Sequence, residues 1–147
     1  MIWVGGAGTV LIPYALVAQE LTPMLLLQSF LVGSWHAQVV VFSNTYDVQG
    51  DRATGRRSIA TRLSAPANKA FITAVFVLSW LVTLGFFGAG LASPWLLVAL
   101  VPVWFLQVRQ LVQGVGQQQW LLARRTGFWV LRVGILALTV ANLYMQP

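Results

Sequence analysis

Long apolar runs, separated by shorter polar segments, dominate the pattern of the chain. Five runs are long enough, or nearly so, to cross the hydrocarbon core of a bilayer, which takes about 20 helical residues. The pattern therefore predicts an all-α polytopic bundle with five transmembrane helices. The runs are Ile2–Ala18, Met24–Thr45, Ala70–Leu91, Pro94–Leu111 and Gly127–Tyr144.

Composition supports an integral membrane protein and excludes several kinds of site. Of the 147 residues, 58% are hydrophobic and 8% are charged, whereas soluble domains carry about 25% charged residues. The chain has no cysteine and one histidine, which excludes disulfides, zinc–thiolate sites and multi-histidine metal clusters. The net charge of +6 comes from cations at the ends of the apolar runs, where lipid phosphates explain them better than a nucleic acid does.

The connections between the runs predict the orientation of the bundle. Those after the second and fourth runs are basic, and the other two carry no cation. By the positive-inside rule, the N-terminus and both basic connections lie in the cytoplasm and the C-terminus lies outside, as in a multi-pass protein of the cell inner membrane. The cations of the basic connections are Arg52, Arg56, Arg57, Arg62, Lys69, Arg109, Arg124 and Arg125.

Polar and aromatic residues near the second basic connection are interpreted first as structural. The glutamines from Gln117 to Gln119 form a solvated patch of the loop, and Trp120 is a residue of the membrane interface, with stacking on a substrate as the alternative. Arg132 alone among the cations lies inside a predicted span, and we expect its guanidinium to extend towards the interface.

The first basic connection contains two of the three acids of the chain. If the preceding helix continues through it, Asn44, Asp47 and Asp51 are spaced at i, i+3 and i+7 and share one face. Two carboxylates one turn apart repel each other, and a divalent cation between them removes that repulsion. One interpretation explains why two acids and several arginines occur together in this segment. The carboxylates share Mg²⁺ with a diphosphate, and the arginines bind the phosphate oxygens. The alternative is that both acids pair with Arg56 and Arg57, and that the other arginines only mark the cytoplasmic side.

The complete segment carries a recognisable motif. It reads Asn44-x-x-Asp47-x-x-x-Asp51-Arg52-x-x-Gly55-Arg56-Arg57-Ser58-Ile59-Ala60-Thr61-Arg62-Leu63. This string closely resembles the second aspartate-rich motif of the UbiA superfamily of intramembrane prenyltransferases, approximately D-x-E-G-D-R-x-x-G-x-R-T-L-x-x-R-L-G. Gln49, Ser58-Ile59 and Ser64 are mild departures. With two runs before the motif and three after it, the chain is similar to the last five helices of the nine-helix UbiA fold.

The resemblance implies a specific activity. Members of the superfamily bind an isoprenyl diphosphate through Mg²⁺ held by two aspartate-rich motifs, ionise it and transfer the allylic group. The acceptor is often an aromatic ring in quinone, haem or chlorophyll synthesis, or another lipid precursor. By this resemblance Asp47 and Asp51 are the catalytic metal ligands, with Asn44 as a third candidate ligand. The residues expected to bind the diphosphate are Arg52, Arg56, Arg57 and Arg62.

One element of the family pattern has no counterpart in the sequence. The first aspartate-rich motif, Asn-Asp-x-x-Asp-x-x-x-Asp, is missing, and Glu20 is the only other acid. We therefore expect residues 1–147 to be a partial domain, the C-terminal half of a UbiA-type prenyltransferase. It is a truncated product, the second piece of a split enzyme, or a remnant that binds without turnover, and activity requires a separate N-terminal half. The competing hypothesis is a non-catalytic membrane subunit or scaffold whose basic connection binds anionic lipid.

Overall fold

The protein is described by a computed structural model that covers residues 7–8, 11–12 and 21–143. All regular secondary structure in these residues is helical, which confirms the predicted all-α fold. The first predicted span, Ile2–Ala18, lies outside the described residues apart from four positions. In chain order the helices are α1 (Pro23–Tyr46), α2 (Val48–Ala53), α3 (Ile59–Arg62), α4 (Ala65–Gly88), α5 (Pro94–Leu111), which continues as a π-helix over Val112–Gly116, and α6 (Trp120–Leu143).

Three of the long helices begin at a capping hydroxyl followed by a proline in the first turn. Thr22 accepts a hydrogen bond from the Leu25 N–H before α1, and Ser64 accepts one from the Ala67 N–H before α4. Ser93 caps α5 in the same way. These bonds satisfy N–H groups that have no partner within the helix, and proline is tolerated there because its missing N–H is not needed.

The described residues contain three helices that are long and apolar enough to span a membrane: Pro23–Tyr46, Ala65–Gly88 and Pro94–Gly116. They confirm the second, third and fourth predicted spans. The third begins before its predicted start because capping, rather than hydropathy, sets the end of a helix. α6 is not among these three, but it covers the fifth predicted span as far as Leu143. It begins at Trp120, earlier than predicted. Hydropathy missed its first turns because they contain the charged residues Arg124 and Arg125.

α1 lies in the centre of the described bundle. In its apolar window 78% of the residues are buried, against 22% in α4 and 28% in α5. α1 packs against α6 and α4, and α6 also packs along α5. The outer faces of α4 and α5 therefore remain apolar and exposed, as expected for a protein in lipid. The core side chains larger than alanine that α1, α5 and α6 share are Leu27, Leu31, Val32, Trp35, Leu96, Leu100, Val103, Val130 and Leu138.

Close helix contacts depend on glycines that face large rings. A Cβ atom at Gly134 of α6 would clash with the Trp35 ring of α1. A Cβ atom at Gly114, in the π-helix, would clash with Phe42 in the same way. Small residues at such contacts let helix backbones approach each other in membranes.

Two side-chain hydrogen bonds connect three helices inside the bundle. Gln107 of α5 donates from Nε2 to Oε1 of Gln38 in α1 at 3.1 Å. Its own Oε1 accepts a bond from the Trp80 indole of α4 at 3.0 Å. Gln38 and Gln107 are each 1% exposed, so the bonds satisfy polar atoms that cannot reach water, apart from Gln38 Nε2, which has no partner among the described residues.

Candidate functional site

The helix that leads into the acidic segment is interrupted at Asp47. α1 ends at Tyr46, and Asp47 adopts φ −89° and ψ 7° before α2 begins at Val48. The condition of a helix that continues to Asp51 is therefore met except at one residue, Asp47. Ser43 and Thr45 each bond back to a carbonyl one turn earlier, at 2.8 Å, and such bonds bend a helix. The spacing of one turn survives, because the Asp51 N–H still donates to the Asp47 carbonyl at 2.9 Å.

The chain turns between α2 and α3 at Gly55. This residue has φ +70°, a conformation that glycine adopts without strain. The Arg56 N–H then donates back to the Asp51 carbonyl at 2.8 Å. α3 starts with a capping box in which Ser58 and Thr61 exchange bonds. These local bonds fix the shape of the basic segment, and α3 packs against α1.

Asp51 is the buried acid of the site. Its side chain is 6% exposed, and Oδ1 lies 3.6 Å from Nη1 of Arg56, which is an ion pair rather than a hydrogen bond. Its other oxygen, Oδ2, is buried and has no hydrogen-bond partner among the described residues. An unpaired carboxylate oxygen in a buried position is costly, and a bound cation would satisfy it.

Asp47 and Asn44 have different surroundings from Asp51. Asp47 is exposed, and Asn44 is half-buried. The predicted common face is therefore not uniform, since one carboxylate faces solvent and the other is buried. Within the described part of the chain, no ion pair joins Asp47 to an arginine. The alternative interpretation predicts that both acids pair with Arg56 and Arg57. Among the described residues the structure shows one such ion pair, between Asp51 and Arg56.

The four predicted diphosphate-binding arginines are all exposed. Of these, Arg56 contacts Asp51, and Arg52 lines a cavity next to the motif. The structure shows no acid partner for Arg52, Arg57 or Arg62 within the described ranges. These three guanidinium groups are therefore free to bind an anion.

The cavity beside the motif has a volume of about 210 Å³ and lies where several elements meet. The end of α1 contributes Thr45 and the start of α4 contributes Asn68 and Lys69. The turn before α6 contributes Gln118 and Trp120. The sequence interpretation did not place these residues at one site, because it assigned Lys69 to the orientation signal, Gln118 to a solvated loop and Trp120 first to the membrane interface.

A backbone conformation is the signal that distinguishes Gln118. It has φ 57°, the single positive φ among the described residues other than glycine. Such a conformation is uncommon for a residue with a side chain and is costly unless the surroundings hold it. The N–H of Gln118 donates to the carbonyl of Gly114 at 3.0 Å, which fixes the turn to the end of the π-helix. The linear sequence gives no indication of this backbone conformation.

Aromatic packing holds Trp120 at the cavity. The Phe42 ring centroid lies 6.2 Å from that of Trp120 and 6.0 Å from that of Phe76. Phe42 is fully buried, and the Trp120 indole packs against the apolar cluster that contains Phe42 and Phe76. Trp120 also lines a second, more open cavity of about 410 Å³ together with Tyr46 and Arg125. The ring therefore lines two cavities and is not only an interfacial anchor.

The residues of the segment partly fit a magnesium ion. Mg²⁺ is usually held by one or two carboxylates together with phosphate oxygens and water. Asp51 offers an unpaired oxygen, and Asp47 is one turn away. The described residues contain no group of three or more His, Cys, Asp or Glu side chains that could hold a metal. The segment thus suits a site completed by other oxygen ligands, and not a closed protein cage.

Comparison with known proteins decides the family. The model of the UbiA prenyltransferase family matches residues 1–131, which include the acidic segment, the cavity and most of the bundle. The chain belongs to the UbiA prenyltransferase family. No curated protein and no solved structure matches it.

Membership of the UbiA family confirms the resemblance carried by the motif. It also agrees with the helical bundle and its membrane-spanning helices. The protein is therefore an integral membrane protein of a prenyltransferase family. The family match assigns no individual ligand to Asp47, Asp51 or the arginines, whose roles follow below as a proposal.

Proposed function

We propose that this UbiA protein transfers an isoprenyl group from an isoprenyl diphosphate to an aromatic or lipid acceptor of quinone, haem or chlorophyll biosynthesis. The reaction is Mg²⁺-dependent, and the chain supplies the second aspartate-rich motif of the site. The first motif comes from a separate N-terminal half. The observation that carries the proposal is Asp51, a buried carboxylate with one unpaired oxygen inside the family motif.

The residues have distinct roles in this proposal. Asp51 and Asp47 hold the metal, with Asn44 as a further oxygen ligand. When bound, Mg²⁺ supplies positive charge to the diphosphate. Arg56 lies next to Asp51 and binds oxygens of the diphosphate that the metal also contacts. The other diphosphate-binding residues are Arg52, Arg57 and Arg62.

The proposed reaction breaks the bond between the allylic carbon and the diphosphate oxygen. The electron pair leaves with the diphosphate, and arginine side chains stabilise the charge that develops there. The acceptor then donates an electron pair to the allylic carbocation and loses a proton to the departed diphosphate. Because water would capture the carbocation, the apolar surroundings of the prenyl group protect the reaction. In this proposal the basic end of the bundle, with the diphosphate site, faces the cytoplasm.

The second candidate is a non-catalytic subunit or scaffold that binds anionic lipid. The exposed arginines without acid partners favour it, because exposed guanidinium groups also bind lipid phosphates. The two functions differ in their dependence on Mg²⁺ and on the prenyl group.

Hydrogen exchange of the connection from Arg52 to Asn68 distinguishes the two functions. For the prenyltransferase, an isoprenyl diphosphate should slow exchange only when Mg²⁺ is present, and Asp51→Asn should abolish this protection. For the scaffold, phosphatidylglycerol should slow exchange equally with and without Mg²⁺. Protection by lipid alone would exclude the proposed function.

A further inference from the structure

A glutamine layer lies inside the bundle, away from the acidic motif. It consists of Gln38 of α1 together with Gln107 and Gln110 of α5, each no more than 1% exposed. Gln107 links the other two. Its Nε2 bonds to Gln38 Oε1 at 3.1 Å, and Gln110 follows it by three residues on the same face of α5.

The amide of Gln110 reaches the place where α1, α5 and α6 meet. A Cβ atom at Gly127 of α6 would contact both Gln110 Nε2 and Val39 Cγ2. Val39 is the neighbour of Gln38 in α1. The side chains of Gln38 and Gln110 therefore lie in the same part of the contact between α1 and α5.

Three polar atoms of the glutamine layer have no protein partner in the described part of the chain. They are Gln38 Nε2 and both amide atoms of Gln110, Nε2 and Oε1. The nitrogens can only donate, and the oxygen can only accept. Buried amide atoms are costly when they stay unpaired, so a ligand that both accepts and donates hydrogen bonds would satisfy them.

Apolar side chains enclose the layer on both sides along α1. Towards the motif, Phe42 lies one turn from Gln38, and its ring packs against Phe76 and Trp120. In the other direction, Trp35 belongs to the main apolar core together with Val103 of α5. Phe42, Trp35 and Val103 are each at most 1% exposed. Bulk solvent therefore does not reach the layer, and a ligand held there has to be small.

We propose that the glutamine layer binds internal water. One or more water molecules accept hydrogen bonds from Gln38 Nε2 and Gln110 Nε2 and donate one to Gln110 Oε1. Proteins hold about one buried water per 27 residues, at sites with about two to four polar partners. The layer offers three such partners. The bound water joins α1 to α5 beside α6, in addition to the direct bond between Gln38 and Gln107.

Water-edited solid-state NMR of the full chain in phosphatidylcholine bilayers tests the proposal directly. The experiment follows magnetisation from water protons to the side-chain amide nitrogens of Gln38 and Gln110, and both transfers should be fast. The methyl groups of Leu27 are the dry reference. Leu27 is 0% exposed and lies eleven residues from Gln38, about 16 Å along α1.

Two leucine variants test whether Gln110 holds the water. Gln110→Leu removes two of the three partners, so the transfer to Gln38 should be lost. Gln113→Leu is the matched control, because Gln113 Oε1 already accepts a bond from the Thr126 hydroxyl at 2.7 Å. The transfer to Gln38 should stay at the wild-type level in this control.

The melting temperature of Gln110→Leu gives a second readout. A buried amide without any partner is costly, and its replacement by leucine would raise the melting temperature. An amide that binds water is satisfied, so Gln110→Leu should lower the melting temperature instead.

The proposal is overturned if transfer to Gln38 and Gln110 in wild type is as slow as transfer to the Leu27 methyl groups. A higher melting temperature in Gln110→Leu would overturn it as well. Neither measurement involves prenyl transfer or Mg²⁺, so the proposed function stands or falls separately.

Discussion

Arg56 is the exposed partner of a buried acid. Its Nη1 lies 3.6 Å from Oδ1 of Asp51, and its side chain is 72% exposed whereas that of Asp51 is 6% exposed. The two groups share a short loop, because the Arg56 N–H also donates to the Asp51 carbonyl. The guanidinium therefore neutralises the carboxylate from the side of the solvent, while the other carboxylate oxygen remains unpaired.

Replacing Arg56 should expose a need for metal at Asp51. Arg56→Gln should lower the free energy of unfolding by about 1 kcal/mol, because an exposed partner contributes little by itself. Mg²⁺ should restore the melting temperature of this variant, since a cation can replace the guanidinium. Thermal unfolding in detergent with and without Mg²⁺ measures the effect. In the double variant with Asp51→Asn, Mg²⁺ should have no effect, and an equal shift there would remove Asp51 from the metal site.

Thr45 should stabilise the junction of α1 and α4 through Asn68. Thr45→Val removes the acceptor for Asn68 Nδ2 and leaves a buried donor unpaired, which costs about 1–3 kcal/mol. Thr139→Val is the matched control, because that exposed hydroxyl bonds only within its own helix. Denaturation by SDS, followed by circular dichroism, compares the two variants. Equal stabilities would show that the bond between the helices contributes nothing.

Gly134 should tolerate no added methyl group. Gly134→Ala places a Cβ atom against the Trp35 ring, which is 1% exposed and cannot move away. We expect a loss of about 1–3 kcal/mol from this overpacking. Gly85→Ala in α4 is the control, because its Cβ atom would meet nothing within 4 Å. Helix propensity predicts a gain of about 0.5–1 kcal/mol for that variant. The same SDS titration tests the opposite signs.

The glutamine at the centre of the bundle should couple energetically to a tryptophan. Gln107→Leu leaves both the Trp80 indole N–H and Gln38 Oε1 without their bonds. Bonds between membrane helices average about 0.6 kcal/mol, so a loss of about 1 kcal/mol is expected for two of them. Adding Trp80→Phe should cost less in the Gln107→Leu background than in wild type. Strict additivity in the double-mutant cycle would contradict the observed bond.

Hydropathy and capping rules account for most of the described fold. Apolar length identifies the spans of α1, α4 and α5, because lipid imposes a minimum length on each. Hydropathy misplaces the start of α6, since Arg124 and Arg125 make its first turns polar. The interruption at Asp47 also escapes the sequence, because it depends on how Ser43 and Thr45 bond to the backbone.

The candidate site was predictable only where residues are close in sequence. The motif identifies both acids, but their different burial depends on how the loop after Gly55 folds back. The bond between Asn68 and Thr45 joins residues 23 positions apart. The strained turn at Gln118 reaches the same cavity from the other basic connection. Local spacing carries no information on either contact, which is why the cavity could not be foreseen.

Transfer activity of Asp51→Asn tests the central claim most directly. The chain is combined with an N-terminal half that carries Asn-Asp-x-x-Asp-x-x-x-Asp, and Mg²⁺-dependent transfer from an isoprenyl diphosphate is measured. The substitution keeps the size of the side chain and removes its charge. We predict that transfer falls by at least about a hundredfold, while membrane insertion and helix content stay at wild-type levels. Near-normal transfer by Asp51→Asn would contradict the account.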